Sequence, residues 1–264
     1  MAGIYADSPN DISSAVPNWP STRALRAKEG GSEDPLQQLE SGVNCPKADS
    51  LSAARQNTKS FQDFLAANWN LFALLTQFGG QGTVDFSFDV LKNWFATLRV
   101  EKEQFNLTLP SWITDDVYDQ LKNAFLAGNN FVDGAAGFEL PQDDELVKLR
   151  GGYLLHEWRS NLKDVSTAEG GVKYHAYSAH DHTITAFVRA LGAKQEVIGD
   201  DIPNYTATVV NELWRKDGEY FVKFFYIDSY AYPARPITRP DDSDFCPLQQ
   251  FLDISDKFST KKDS

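Results

Sequence analysis

Residues 180–182 read His-Asp-His and form the chain's densest group of side chains able to move protons or hold an anion. They sit in "YSAHDHTITAFVRALG", residues 177–192. The preceding "VKYHAYSA" is strand-like, and Phe187 and Leu191, four apart, predict a helix with a core face. A histidine where a strand turns into a helix would look into the crevice where α/β sheets bind ligands. The helix start there offers unpaired N–H groups and a positive dipole end to an anion. Asp181 is either a proton donor or only the cap of that helix. His180 and His182 would chelate a metal on a strand, but a helix start should splay them. No carboxylate or cysteine stands at a metal-site spacing, so no metal is expected. His156, among polar neighbours on a helix, and His175, in the strand-like segment, read as structural.

Several elements must position these residues. Residues 1–50 are rich in Pro, Gly, Ser and Asp and read as loop and turn. Phe61, Phe64, Leu65, Trp69, Phe72 and Leu75 recur at helical spacing, and Gly79-Gly80 stops the run. "FSFDVLKNWFATLRVEKEQF" brings a second apolar set. Ile113, Val117, Leu121 and Phe125 then mark one helical face, with Thr114 or Asp115 as its N-cap. Residues 58–130 are therefore expected to be mostly helix. "LPQDDELVKL" reads as a polar link, and Leu154, Leu155, Trp158 and Leu162 as a short amphipathic helix. "TATVVNELWRK" and "GEYFVKFFYI" read as two strands joined at Asp217-Gly218, a hairpin signal. The order, helices and then strand-helix-strand-strand, predicts α/β or α+β.

Composition narrows the function classes. The 264 residues carry a formal net charge of −12. An acidic surface repels phosphate backbones, so nucleic acid is not an expected partner. One cationic pocket could still take a small anion. The longest apolar-rich piece, "WNLFALLTQF", falls short of the roughly 18 apolar residues of a membrane span. "MAGIYADSPND" has neither the basic nor the apolar region of a secretory signal. Cys45 and Cys246 match no metal spacing and leave open a disulfide or two thiols. Asn106-Leu107-Thr108 and Asn204-Tyr205-Thr206 are glycosylation sequons.

Taken in order, "MAGIYADSPN", "FNLTLPSW", "GGYLLHEWRSNLK", "YSAHDHTITAFVRALG", "PNYTATVVNELWRKDGEYFVKFFY" and "CPLQQFLDI" resemble segments of the histidine acid phosphatase family, which works through a phosphohistidine. The resemblance covers essentially the whole chain. One departure is His182, where the family commonly has Thr. The resemblance implies a mixed sheet flanked by helices with a mostly helical cap. Residues 1–50 would be a loop-rich part of the α/β core, 51–150 the cap, and 151–264 the core that carries the His-Asp motif. It assigns His180 to phosphoryl binding, Asp181 to general-acid catalysis and Trp112 to the pocket mouth. It implies a phosphate monoester substrate, no cofactor, a secreted or lysosomal setting and the option of a homodimer. Cys45 normally has a distant C-terminal partner. Cys246's usual local partner is replaced by Asp242, so the resemblance leaves a Cys45–Cys246 pairing open beside two free thiols.

The family's nucleophile, the histidine of Arg-His-Gly-x-Arg-x-Pro, has no counterpart here. No histidine is followed by Gly, and no Arg-His pair exists. A further phosphate-binding arginine normally precedes the segment resembling "MAGIY". The resemblance thus implies a fold incomplete at its N-terminus and a chain inactive alone, read as a fragment with Met1 internal to a longer protein. A natural inactive product and a domain completed by another chain are the other readings. By function, the enzyme reading competes with a non-catalytic remnant that acts through binding or as a surface glycoprotein.

Overall fold

The apolar run from Phe61 to Leu75 forms two helices rather than one. The computed structural model describes residues 45–79, 83–167, 174–238 and 245–261. Most of the loop-rich segment 1–50 therefore lies outside the described residues. Helix α1 spans Pro46–Gln56, α2 Lys59–Ala67 and α3 Trp69–Phe78. Asn68 separates α2 from α3 (φ −91°, ψ 18°), and its side-chain amide donates to the Phe64 carbonyl at 2.9 Å. That local bond competes with helix continuation, as Asn side chains do. The break turns Trp69 out of the core, where it stacks on Phe86 with ring centroids 4.6 Å apart. Phe61, Leu65, Leu71, Phe72 and Leu75 remain buried together.

Helix α4 (Phe88–Arg99) buries Phe88, Leu91, Phe95 and Leu98, the i, i+3, i+7, i+10 stripe of an amphipathic helix. A five-residue π-turn, Val100–Gln104, extends it. Helix α5 spans Asp115–Val132. Its cap is Thr114, whose hydroxyl accepts from the Val117 N–H at 3.3 Å. Asp115 and Asp116 then suit the positive end of the helix. At Gly128 of α5 an added Cβ would stand 2.2 Å from the Phe88 ring, so this glycine lets the α4 aromatic seat against the α5 backbone.

Helix α6 runs over Asp144–Thr167, longer than the short helix expected, and absorbs most of the polar link. Asp143 starts it by accepting from the Leu146 N–H at 3.0 Å. Gly151 and Gly152 stay inside this helix although each costs roughly 1 kcal/mol against Ala. Their role is close approach: a Cβ at Gly151 would meet the Ala186 carbonyl oxygen at 2.2 Å, and one at Gly152 the Phe258 oxygen at 2.1 Å. The backbone of α7 (Asp181–Ala190) therefore lies directly on α6. The short α8 follows at Lys194–Val197.

Strands β1 (Thr208–Lys216) and β2 (Glu219–Ile227) pair antiparallel in the register Thr208↔Ile227 to Lys216↔Glu219. Asp217 (φ 52°) and Gly218 (φ 89°) are both left-handed, the two-residue turn that matches strand twist. Strands β3 (Arg235–Ile237) and β4 (Cys246–Pro247) also pair with β2, antiparallel in each case. Helix α9 (Leu248–Ser255) and a 3-10 turn at Asp256–Phe258 close the described chain. Val222 and Tyr226 of β2 are buried against Leu155 of α6, Phe187 and Val188 of α7, and Phe251 of α9. The fold is mixed α/β, a small sheet flanked by helices. Helix α6 crosses residues 150–151 without interruption.

One expected strand is not formed. Residues 174–180 form no strand ladder among the described residues, and all but Tyr177, whose hydroxyl accepts from the Asn161 amide at 2.7 Å, are exposed. A strand needs a ladder partner as well as strand-like residues, and none lies beside this segment in the described structure.

Candidate active site at the start of helix α7

Helix α7 begins where the sequence reading places a helix, but an extended, unpaired segment precedes it. His180 is its N-cap residue (φ −98°, ψ 167°) and offers no side-chain cap. Asp181 supplies the first-turn acid. Its Oδ1 accepts from the His182 N–H at 2.8 Å and lies 3.6 Å from His182 Nδ1. The helix start does not splay the two histidines, whose rings stack with centroids 5.2 Å apart. Thr183, Thr185, Phe187 and Val188 of α7 are buried and hold the helix in place.

Across from α7 stands the end of α4. Arg99 is nearly buried there, its side chain 8% exposed. Its Nε donates to Glu103 Oε2 at 2.9 Å and its Nη2 to the Pro203 carbonyl at 3.1 Å. Its Nη1 lies 3.9 Å from Asp181 Oδ2. Tyr205 covers the guanidinium, with 5.0 Å from the central carbon to the ring centroid. The π-turn beginning at Val100 directly follows Arg99, and such turns occur often at functional sites.

Between α4, α5, α6 and α7 lies a cleft of about 430 Å³. Its charged lining is Lys92, Arg99 and Arg150 against Asp133 and Asp181, so cations outnumber carboxylates three to two. His182 adds charge when protonated. In a chain of net charge −12 this is a local positive island. Phe95, Phe125, Val100 and Ile202 supply an apolar wall.

The two carboxyl groups are pushed in opposite directions. The His182 ring beside Asp181 holds its carboxyl below the usual range, helped by the His182 N–H and Arg99 and opposed by burial. Burial pushes the Asp133 carboxyl up, against the pull of Arg189, Arg150, Lys92 and His182. Environments that separate two carboxyls in this way are a recurrent feature of acid–base sites.

The cleft gathers Asp181 and His182 with four residues the sequence reading did not single out, Lys92, Arg99, Asp133 and Arg150, whereas His180, exposed at the helix start, is not among its lining residues. A signal existed for Arg99, which falls on the buried stripe of α4 beside Leu98. Asp133 had a weaker one, an acid at a helix end before Gly134. Trp112 is not among the cleft residues. It stacks on Phe78 at 4.5 Å and meets Trp94 edge-on at 5.6 Å, in the aromatic packing of the α3–α5 region. Asn106 and Asn204 are exposed, and the Asn204 amide donates to Asp228 Oδ2 at 2.6 Å. No disulfide joins Cys45 to Cys246. Cys45 caps α1, which packs on α5 and α6, whereas Cys246 is buried in β4 opposite Val222. His156 contacts the Ser259 hydroxyl at 3.3 Å, and His175 is exposed.

The chain is similar to known acid phosphatases. The chain is 28% identical over 211 residues to prostatic acid phosphatase of Bos taurus, covering 80% of the chain and 52% of that protein. The human prostatic acid phosphatase gives the same identity and coverage. Lysosomal acid phosphatase of Bos taurus is 28% identical over 225 residues, covering 85% of the chain and 50% of that protein. The chain spans about half the length of the curated relatives it matches. The profile of the histidine phosphatase superfamily (branch 2) matches residues 21–227, and the chain belongs to that family.

Proposed function

We propose that this chain carries the His-Asp half of a phosphate monoester hydrolase. His180 binds phosphoryl oxygens at the start of α7, and Asp181 donates the proton to the leaving alcohol. In the complete reaction a histidine on an Arg-His-Gly segment attacks phosphorus, and the P–O ester bond breaks as Asp181 protonates the departing oxygen. Water then cleaves the phosphohistidine. Without that segment the chain has no covalent nucleophile and no appreciable turnover alone. Loss of a covalent nucleophile costs roughly a millionfold in another enzyme class.

The observation that carries this reading is Asp181 at the first turn of α7, inside a cationic cleft of an acidic chain. The His182 contact and Arg99 favour the carboxylate form of Asp181. An arriving phosphoryl anion disfavours that second negative charge and moves the group toward its protonated, donating form. Asn106 and Asn204 are proposed as glycan acceptors, and Trp112 as a pocket-mouth residue outside the lining of this cleft. The prostatic and lysosomal relatives support a secreted or lysosomal setting. A non-catalytic, phosphate-binding role is the second reading, favoured by the depressed Asp181 carboxyl.

The test is to express residues 1–264 and titrate inorganic phosphate by calorimetry, alongside turnover of p-nitrophenyl phosphate at acid pH. Saturable binding lost in His180→Ala, with no turnover, is the expected result. Absence of binding would remove the site. Turnover abolished by His180→Ala would show that the chain holds its own nucleophile.

A further inference from the structure

The Arg99 guanidinium is held on two sides and open on the third. Glu103 takes Nε and the Pro203 carbonyl takes Nη2. Nη1 points to Asp181 Oδ2 at 3.9 Å, beyond hydrogen-bonding distance. Arg99 is more than nine-tenths buried yet lines the cleft. Its Nη1, ion-paired to Asp181 but not hydrogen-bonded to it, is the donor left for a ligand of the cleft that Arg99 lines. Lys92 lies two helical turns earlier on the same side of α4 and lines the same cleft. On the facing wall, Thr185 is 2% exposed, and its hydroxyl has no hydrogen-bond partner.

We propose that Arg99 is a phosphoryl-binding residue of this site. An oxygen of the entering phosphate monoester takes the Nη1 edge in place of Asp181, so the anion lies between the end of α4 and the start of α7. This rests on the phosphatase reading above and adds to it a residue and the wall it acts from. A planar guanidinium suits the role, because its paired N–H groups match phosphate oxygens. Glu103 and Pro203 fix the plane beforehand, so little side-chain freedom is lost on binding. The same exchange frees Asp181 from its cation and leaves its carboxyl beside the arriving ester. No covalent bond changes in this step.

The experiment follows the arginine side-chain N–H resonances of ¹⁵N-arginine-labelled protein, residues 1–264, during titration with inorganic phosphate. Arg99→Lys assigns the Arg99 signal. That signal should shift with the same saturation curve that calorimetry gives, and Arg99→Met should weaken phosphate binding by roughly tenfold or more, the scale of a lost charge-assisted hydrogen bond. Arg99→Lys should lose less. Should Arg99→Met fail to fold, the wild-type resonance decides alone. Phosphate binding that leaves the Arg99 signal unmoved, or an Arg99→Met affinity equal to wild type, overturns the proposal. If His180→Ala abolishes binding while Arg99→Met does not, the phosphatase reading survives and Arg99 alone is removed. No saturable binding to the wild-type protein overturns both.

Discussion

Gly151 on α6 and Ala186 on α7 approach so closely that a Cβ on Gly151 would stand 2.2 Å from the Ala186 carbonyl oxygen. Backbone cannot yield as a flexible side-chain end can. Gly151→Ala should therefore push α7 away from α6 and carry Asp181 with it. The expected cost is about 1–3 kcal/mol, the usual range for overpacking. The melting temperature should fall by several degrees, and phosphate affinity should fall with it. A thermal melt and a phosphate titration of this variant check both. Unchanged stability would mean that the helix contact is not tight in solution.

Asp181→Asn addresses the proton-donor role. In a protein that joins this chain to the Arg-His-Gly segment, the variant should lose turnover of alkyl phosphates by about 10²–10⁴, the range of general acid catalysis. Activated aryl esters should lose far less, because their leaving groups depart without a proton. The ratio of kcat/KM for the two substrate types is the readout. Equal losses on both would assign Asp181 to charge or positioning alone.

The parts of this fold set by local chemistry were legible in the sequence. Asp217-Gly218 names its turn through two left-handed positions, and Thr114 caps α5 through one hydroxyl. Parts that depend on distant contacts were not. The 174–180 segment has strand-forming residues but no ladder partner among the described residues. Gly151-Gly152 weaken a helix by themselves, yet they sit mid-helix where α7 and Phe258 pack on them. The site shows the same division. His180-Asp181 stood out as a local pair, whereas Arg99 is 82 residues from Asp181 in sequence and meets it only through the packing of α4.

Asp133 should make stability fall as pH rises. Burial raises its carboxyl affinity for a proton in the folded state, and Arg189, Arg150, Lys92 and His182 offset this only in part. A group raised on folding favours the fold while it is protonated. Its contribution is complete below its unfolded value, about 3.9, and is lost as pH climbs through the folded value. Asp133→Asn mimics the protonated form. The variant should gain stability over wild type at pH 7 and show no gain at pH 3.5. Thermal melts at the two pH values test the sign, and a variant less stable at pH 7 would show that the Arg189 attraction outweighs burial.

Anion binding should draw a proton into the site. Asp181 faces His182 from its own helix, Arg99 from the end of α4, and Tyr205 from the segment before β1. The His182 contact and Arg99 keep its carboxyl below the usual range. An anion that takes Arg99 removes one of those stabilising charges and adds a repelling one. Both changes raise the proton affinity of Asp181, so near pH 4–5 binding should take up part of a proton, given an ordinary Asp value of about 3.9. Sulfate is the probe, because it holds no titrating proton of its own in that range. Calorimetry in two buffers of different ionisation enthalpy counts the protons. Wild type should show uptake, and Asp181→Asn should bind sulfate with markedly less. Equal uptake in the variant would assign the proton to another group and would leave Asp181 charged when the anion is bound, which a general acid cannot be.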